Sequence, residues 1–310
     1  MEYRKLGKTD LEISVLGFGA SPLGNEFGEI DVAEGERAVH FAVDHGITFF
    51  DVAPYYGRTL AEERLGKALE GRRDKVILAT KCCRYDVDGF DFSAGRVKSD
   101  VDASLRRLKT GYVDLLHIHD IEFGDRRQIV EETIPAVREV QRSGKARYVG
   151  ITGFPPKMLR DVASQAPVDA ILSYARYNLL VNDLDEILRP FCQQQDVGLI
   201  NASPLHLRIL TDEGAPEWHP ASAEVKEAGR RVAAVCRESG ARIADVALRF
   251  CLDYPYAAST LIGMSTQRQV EQNLLAMETA IPPGLLRKIQ TLTEAVKNKV
   301  WATGRPENSG

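Results

Sequence analysis

The feature that most constrains the fold is an alternation along the whole chain. Eight short β-branched or apolar runs, LGFGA (16–20), ITFFD (47–51), VILAT (76–80), VDLLHI (113–118), RYVGI (147–151), DAILS (169–173), GLINA (198–202) and STLIG (259–263), are separated by longer amphipathic stretches. The runs are continuously apolar, which predicts parallel strands covered on both faces. Between them lie helix patterns. EGERAVHFAVDHG sets Ala38, Phe41, Ala42 and His45 at helical spacing and closes on Gly46. SAGRVKSDVDASLRRLK places Val97, Val101, Leu105 and Leu108 on one stripe behind a Ser93 cap. Eight strand–helix units at intervals of roughly thirty residues predict an α/β chain closed into a (β/α)8 TIM barrel. The leading YRKLGKTDLEIS predicts a β-hairpin, KLG then LEI around Lys8-Thr9-Asp10, that closes the barrel floor. With no linker or repeat, all 310 residues are expected to form one domain.

A doubly wound Rossmann fold is the main rival. Its GxGxxG turn would have to follow the first strand, yet GFGASPLG offers Gly17 and Gly19 and then Ser21 and Pro22 where the helix should begin. The barrel fits better.

Bulk properties exclude several functions. A net charge of −4 supplies no basic field for nucleic acid. No apolar stretch reaches bilayer length, and MEYRKLGKTDLEIS lacks a signal-peptide core, so a cytoplasmic enzyme free of the membrane is expected. The five cysteines, Cys82, Cys83, Cys192, Cys236 and Cys251, fit no zinc or redox spacing and read as reduced packing residues. The histidines lack metal-ligand spacing, so no metal is expected. The stretch PLHLRILTDEGAPEWHPAS (204–222) interrupts the pattern after the seventh run; a long loop at that end of a barrel is usually functional.

Chemistry collects where the runs end. ITFFD delivers the chain into Asp51, with Tyr56 five residues on; VILATK ends at Lys81; DLLHIH offers His119. Singly, each residue has an ordinary structural use. Together they make a proton-transfer device. A phenol titrates near ~10, an adjacent ammonium favours its phenolate, and a carboxylate holds that ammonium charged. An imidazole orients the reacting oxygen.

On FFDVAPYYG, ATK, DLLHIH, YVGITGF and IGMSTQRQVEQNL, spread in this order over nearly the whole chain, the sequence resembles the aldo-keto reductase superfamily. The resemblance implies a barrel that binds an extended nicotinamide dinucleotide without a Rossmann domain. It also implies a tetrad in which Tyr56 exchanges the proton, Asp51 and Lys81 tune it, and His119 orients the substrate. Tyr55 and His117 fall outside the pattern.

For the cofactor, the resemblance points to Thr152 beside the nicotinamide amide, with Gly153 where members often carry Asn. It points to Tyr174 as the stacking ring, since Ala202 replaces the usual tyrosine. Ser203 and Leu205 match pyrophosphate contacts; Gly263, Met264, Ser265, Gln269, Gln272 and Asn273 match the adenosine segment. NADP-preferring members usually place lysine and arginine where this chain has Met264 and Gln269, so NAD is expected over NADP, with Arg268 one residue away. Within the superfamily the chain is most similar to NAD-dependent aldose 1-dehydrogenases of the L-galactose group, which implies a sugar substrate such as L-galactose or an L-fucose-like aldose. His206, Trp218 and Trp301 are candidate sugar contacts, the tryptophans either stacking on the sugar or anchoring their segments. Two alternatives share the tetrad: an NADPH-dependent aldehyde or ketone reductase, and a non-catalytic nucleotide-sensing subunit.

Overall fold

A computed structural model describes residues 1–309. Ten strands are present among the described residues: β1 (Tyr3–Lys5), β2 (Glu12–Ser14), β3 (Leu16–Gly19), β4 (Phe49–Asp51), β5 (Ile77–Cys82), β6 (Val113–Ile118), β7 (Ala146–Gly153), β8 (Ala170–Tyr174), β9 (Gly198–Ala202) and β10 (Ser259–Gly263). Strands β3 to β10 close in chain order into a parallel barrel, with β10 pairing β3. All eight expected runs are barrel strands, and helices cover the outside.

The strands sort their side chains by the two-residue period. Phe50, Leu78 and Leu116 belong to the large apolar layer between barrel and helices. Their neighbours Phe49, Ala79 and Leu115 turn inward and join Leu6, Leu11 and Ile13. The next inward positions along β4, β5 and β6 are Asp51, Lys81 and His117. Lys81 lies in register with His117, and Asp51 with Ala79. Alternation therefore carries three polar side chains into the lumen directly above an apolar plug.

The plug comes from the N-terminal hairpin, displaced from the expected position. β1 and β2 pair as Tyr3↔Ser14 to Lys5↔Glu12, so Leu6 and Leu11 lie in the connecting loop instead of the strands. Both are fully or almost fully buried, and burying each contributes about 1.5–3 kcal/mol. Their backbones still meet, the Leu6 amide donating to the Leu11 carbonyl at 2.9 Å. Gly7 allows the close approach, since its φ is +52° and a Cβ would sit 2.4 Å from the Gly198 amide.

The outer helices follow their sequence signals. Asp31 caps Val32–Asp44 by accepting the Ala33 amide at 2.8 Å. Ser93 caps Ala94–Arg107 by accepting the Arg96 amide, and that helix buries Val97, Val101 and Leu105. All five cysteines are free and buried. No helix among the described residues is long and apolar enough to cross a membrane.

Candidate active site

The carboxyl ends of β4, β5 and β6 bring the four strand-end residues together. Lys81 is the hub. Its ammonium donates to Asp51 Oδ1, to the Val52 carbonyl at 3.0 Å and to the Tyr56 hydroxyl at 3.3 Å. Its Nζ also lies 4.9 Å from the Tyr56 ring centroid. The Tyr56 and His119 rings meet edge to face at 5.8 Å. Asp51, Lys81 and His119 are each at least 96% removed from solvent. The Tyr56 loop is fixed by backbone contact: a Cβ on Gly57, whose φ is +61°, would lie 2.1 Å from the Gly24 carbonyl.

The protonation pattern corrects one expectation. Lys81 does favour the Tyr56 phenolate, but burial is the larger influence, and the phenol is pushed up to about 12. Burial also lifts the Asp51 carboxyl, with Lys81 opposing. Burial alone would pull Lys81 down, but Asp51 and then Tyr56 outweigh it and hold the ammonium charged. Burial, reinforced by Lys81 and Arg84, keeps His119 well below the ordinary imidazole value. At neutral pH the site holds an ion pair, a protonated phenol and a neutral imidazole.

A second ion pair flanks the first. Arg84 donates to the buried Asp120 carboxylate and lies 3.8 Å from the Tyr55 ring centroid. Asp120 adopts φ +48°, and its amide donates to Thr152 Oγ1 at 3.0 Å. Glu122, three residues after His119, is fully buried; it accepts the Phe154 amide at 3.0 Å and the Tyr174 hydroxyl at 3.4 Å. Sequence reading missed Arg84, Asp120 and Glu122. Only the DLLHIHDIEF run hinted at the two acids, and nothing there located Arg84.

The expected cofactor residues are partly rearranged. Met264 has no exposed surface and its side chain packs in the outer core. Burial of that apolar side chain outweighs its place in the motif. The Gln269 carboxamide accepts from the Ser265 and Thr266 amides, completing a capping box at the helix Gln267–Glu278. Gln272 and Asn273 lie half-buried on that helix. Gly19 and Gly263 pair in register at the barrel rim; a Cβ on Gly19 would meet the Ile262 carbonyl at 3.0 Å. Ser203 is half-buried at φ +57°, with Leu205 half-buried two residues on. Small residues and hydroxyls at the strand ends suit a dinucleotide laid across the rim. The unpartnered buried His119 Nδ1 leaves a polar atom for a ligand to satisfy.

The candidate sugar contacts separate. His206 is fully buried, its Nδ1 3.1 Å from the Asn178 amide nitrogen, and burial takes it down to about 3. It belongs to the loop's interior, because His219 Nε2 bonds its carbonyl at 3.1 Å and Trp301 packs edge-on to its ring. Trp218 is 58% exposed and stacks only on His219. Trp301 stacks on Phe154 at 4.6 Å, beside Tyr174.

Known proteins extend the picture. The sequence profile described as "Aldo/keto reductase family" matches residues 15–294. An L-galactose dehydrogenase of Arabidopsis thaliana is 45% identical, with 99% of each chain covered. A D-threo-aldose 1-dehydrogenase of a Pseudomonas species is 28% identical over 89% of this chain and 92% of its own. Among solved structures, the holo form of an aldo-keto reductase from Bacillus halodurans superposes with a TM-score of 0.79 at 30% identity, covering 97% of this chain and 98% of its own.

Proposed function

The chain belongs to the aldo/keto reductase family and is an NAD(P)-dependent oxidoreductase; from that premise we propose that it oxidises a cyclic aldose, L-galactose or an L-fucose-like sugar, at the anomeric carbon to the aldonolactone, with NAD. The observation that carries the chemistry is Lys81, bonded at once to Asp51 and to the Tyr56 hydroxyl beside His119. The full-length relative named L-galactose dehydrogenase supports the sugar.

Each residue has a stated task. Neutral His119 orients the anomeric hydroxyl and brings no competing charge. The Tyr56 oxygen takes the hydroxyl proton, and Lys81 stabilises the phenolate that receives it. Asp51 keeps Lys81 charged and aimed. When bound, the nicotinamide supplies the hydride acceptor. Thr152, Tyr174, Ser203, Leu205, Gly263, Ser265, Gln272 and Asn273 would hold the cofactor, while Met264 and Gln269 serve the loop itself.

The preference for NAD gains support from an acid that sequence reading passed over. Glu34 Oε1 accepts the Gln267 amide at 2.9 Å at the start of the adenosine-segment helix, and Arg37 is tied to the same carboxylate. A helix N-terminus ordinarily attracts phosphate. Here a carboxylate already occupies it, so an added ribose phosphate meets like charge.

A panel of L- and D-aldoses, followed by near-UV absorbance of reduced cofactor with NAD or NADP, tests the proposal. Turnover of L-galactose or L-fucose with NAD is expected. A flat response to every aldose, with turnover of simple aldehydes by NADPH, would reject it.

A further inference from the structure

Two carboxyls stand within a turn of His119, and one cation serves them. Asp120 takes Arg84. Glu122 has no ion-pair partner among the described residues, and its Oε2 makes no hydrogen bond. Burial first, then Asp120, push its carboxyl up to about 8, against the Phe154 amide and Arg84. At neutral pH it therefore carries its proton. An unpaired charge at that depth would be costly.

The chain makes room for this carboxyl. A Cβ on Gly153 would lie 2.6 Å from Glu122 Oε2, so the acid fills the space that a side chain at 153 would need. Its other end is equally engaged. The Glu122 carbonyl accepts the Arg305 amide at 2.9 Å and Asn308 Nδ2 at 3.0 Å. Gly304, at φ +79°, permits the approach, since a Cβ there would sit 2.4 Å from that carbonyl. The tail so anchored lays Trp301 on Phe154, whose ring also meets Tyr174 at 5.4 Å. The circuit closes on one residue: the Glu122 side chain holds Phe154 and Tyr174, and its main chain holds the tail that brings Trp301 to them.

We propose that Glu122 is a positioning residue for the sugar, fixing Tyr174 and Trp301, backed by the buried Phe154 ring, as one aromatic wall at the barrel mouth. The proposal rests on the sugar-oxidising reading above. Aromatic faces suit the apolar CH surface of a pyranose only when their spacing is held. The wall therefore acts on sugar binding, while the proton chemistry stays with Lys81 and Tyr56.

The test compares Glu122→Ala with Glu122→Gln in the full chain, using NAD and the best aldose of the panel. Glutamine keeps an acceptor for the Phe154 amide and the Tyr174 hydroxyl; alanine removes it. Glu122→Ala is expected to raise KM for the sugar about tenfold and to weaken NAD by a smaller factor, through Tyr174, with kcat changed by less than about threefold. Glu122→Gln is expected to restore KM to within about twofold of the parent. In a Trp218→Phe background, Trp301 emission should shift to the red for alanine and stay in place for glutamine. Asn308→Ala loosens the tail by removing the bonds of Asn308 Nδ2 to the Glu122 and Gly124 carbonyls while the Arg305 amide bond remains. It should give a smaller KM rise and emission shift in the same direction, and it carries the test if Glu122→Ala does not fold. An unchanged KM in both alanine variants overturns the proposal, as does a Glu122→Gln variant as impaired as Glu122→Ala. The emission measurement needs no sugar. If no aldose is turned over while emission shifts as expected, the sugar reading has failed and the wall has not.

Discussion

Removing Lys81 tests the mechanism most directly, because the structure gives both the size and the pH form of the effect. With the phenol at about 12, roughly one Tyr56 in 10⁵ is ionised at pH 7, a cost of about 7 kcal/mol to make the base. Each unit of pH supplies about ten times more phenolate. His119 is already neutral across pH 6–9, since burial takes it well below its ordinary value. The kcat for sugar oxidation should therefore climb with pH from 6 to 9, approaching tenfold per unit while proton transfer limits the rate. Lys81 Nζ lies 3.3 Å from the phenol oxygen. At an effective dielectric of about 20, the attraction to a phenolate there is about 5 kcal/mol. Part returns on mutation, because Asp51 takes up a proton when its partner is lost and ceases to repel the phenolate. Lys81→Met should lower kcat at pH 7 by roughly 10²–10³ and move the rise to still higher pH. Steady-state rates at constant ionic strength, with both substrates saturating, read out both effects. A flat parent profile, or a Lys81→Met variant with parental kcat at pH 7, would show that Tyr56 is not the base.

The remaining predictions concern single side chains. Tyr56→Phe should abolish turnover and leave NAD affinity unchanged by fluorescence titration; parental turnover would refute the proton role. Glu34→Ala frees the Gln267 amide and Arg37, so the NADP-to-NAD ratio of kcat/KM should rise several-fold and the gain should shrink with added salt; no change would remove Glu34 from cofactor choice. Glu122 also links stability to pH. Its native carboxyl titrates near about 8 against 4.5 in the unfolded chain, so its contribution is complete below the unfolded value and is lost as pH rises through the native one. Glu122→Gln removes that loss, so the Tm of the variant minus that of the parent should grow between pH 5 and pH 9. A constant difference would mean that Glu122 is already ionised in the native state.

The parts legible in the sequence were those carried by local periodicity. Eight apolar runs became eight barrel strands because a parallel strand must be apolar on both faces, and such a run announces itself. Asp51, Lys81 and His119 were legible because each breaks or ends a run, which is where a barrel places chemistry. Long-range effects stayed hidden. Leu6 and Leu11 look like strand residues, yet the barrel floor 190 or so residues on claims them. Met264 sits in a binding motif, but packing behind β10 buries it. The sequence names the cation beside Tyr56 without saying how dry the site is, and dryness sets the sign of the phenol's shift. Glu122 is one acid in a short turn; its use emerges only with Gly153 and with a tail some 180 residues later.

The charges at the barrel mouth also bear on the direction of reaction. Two cations, Lys81 and Arg84, face two anions, Asp51 and Asp120. Tyr56, His119 and Glu122 are neutral near pH 7. The site is thus balanced before substrate arrives, and the phenol is loaded with the proton that oxidation must place on it. Taken alone, that arrangement favours donation by Tyr56 at neutral pH, the step needed to reduce a carbonyl. Oxidation of a sugar has to be drawn forward by something outside the tetrad. In the proposed reaction a lactone would supply the draw, because it opens in water and removes the species that would take the hydride back. The tetrad therefore permits both directions. On the proposed reading, the choice falls to the groups that would select the partners: Glu34 at the cofactor helix and the Glu122-anchored wall at the mouth.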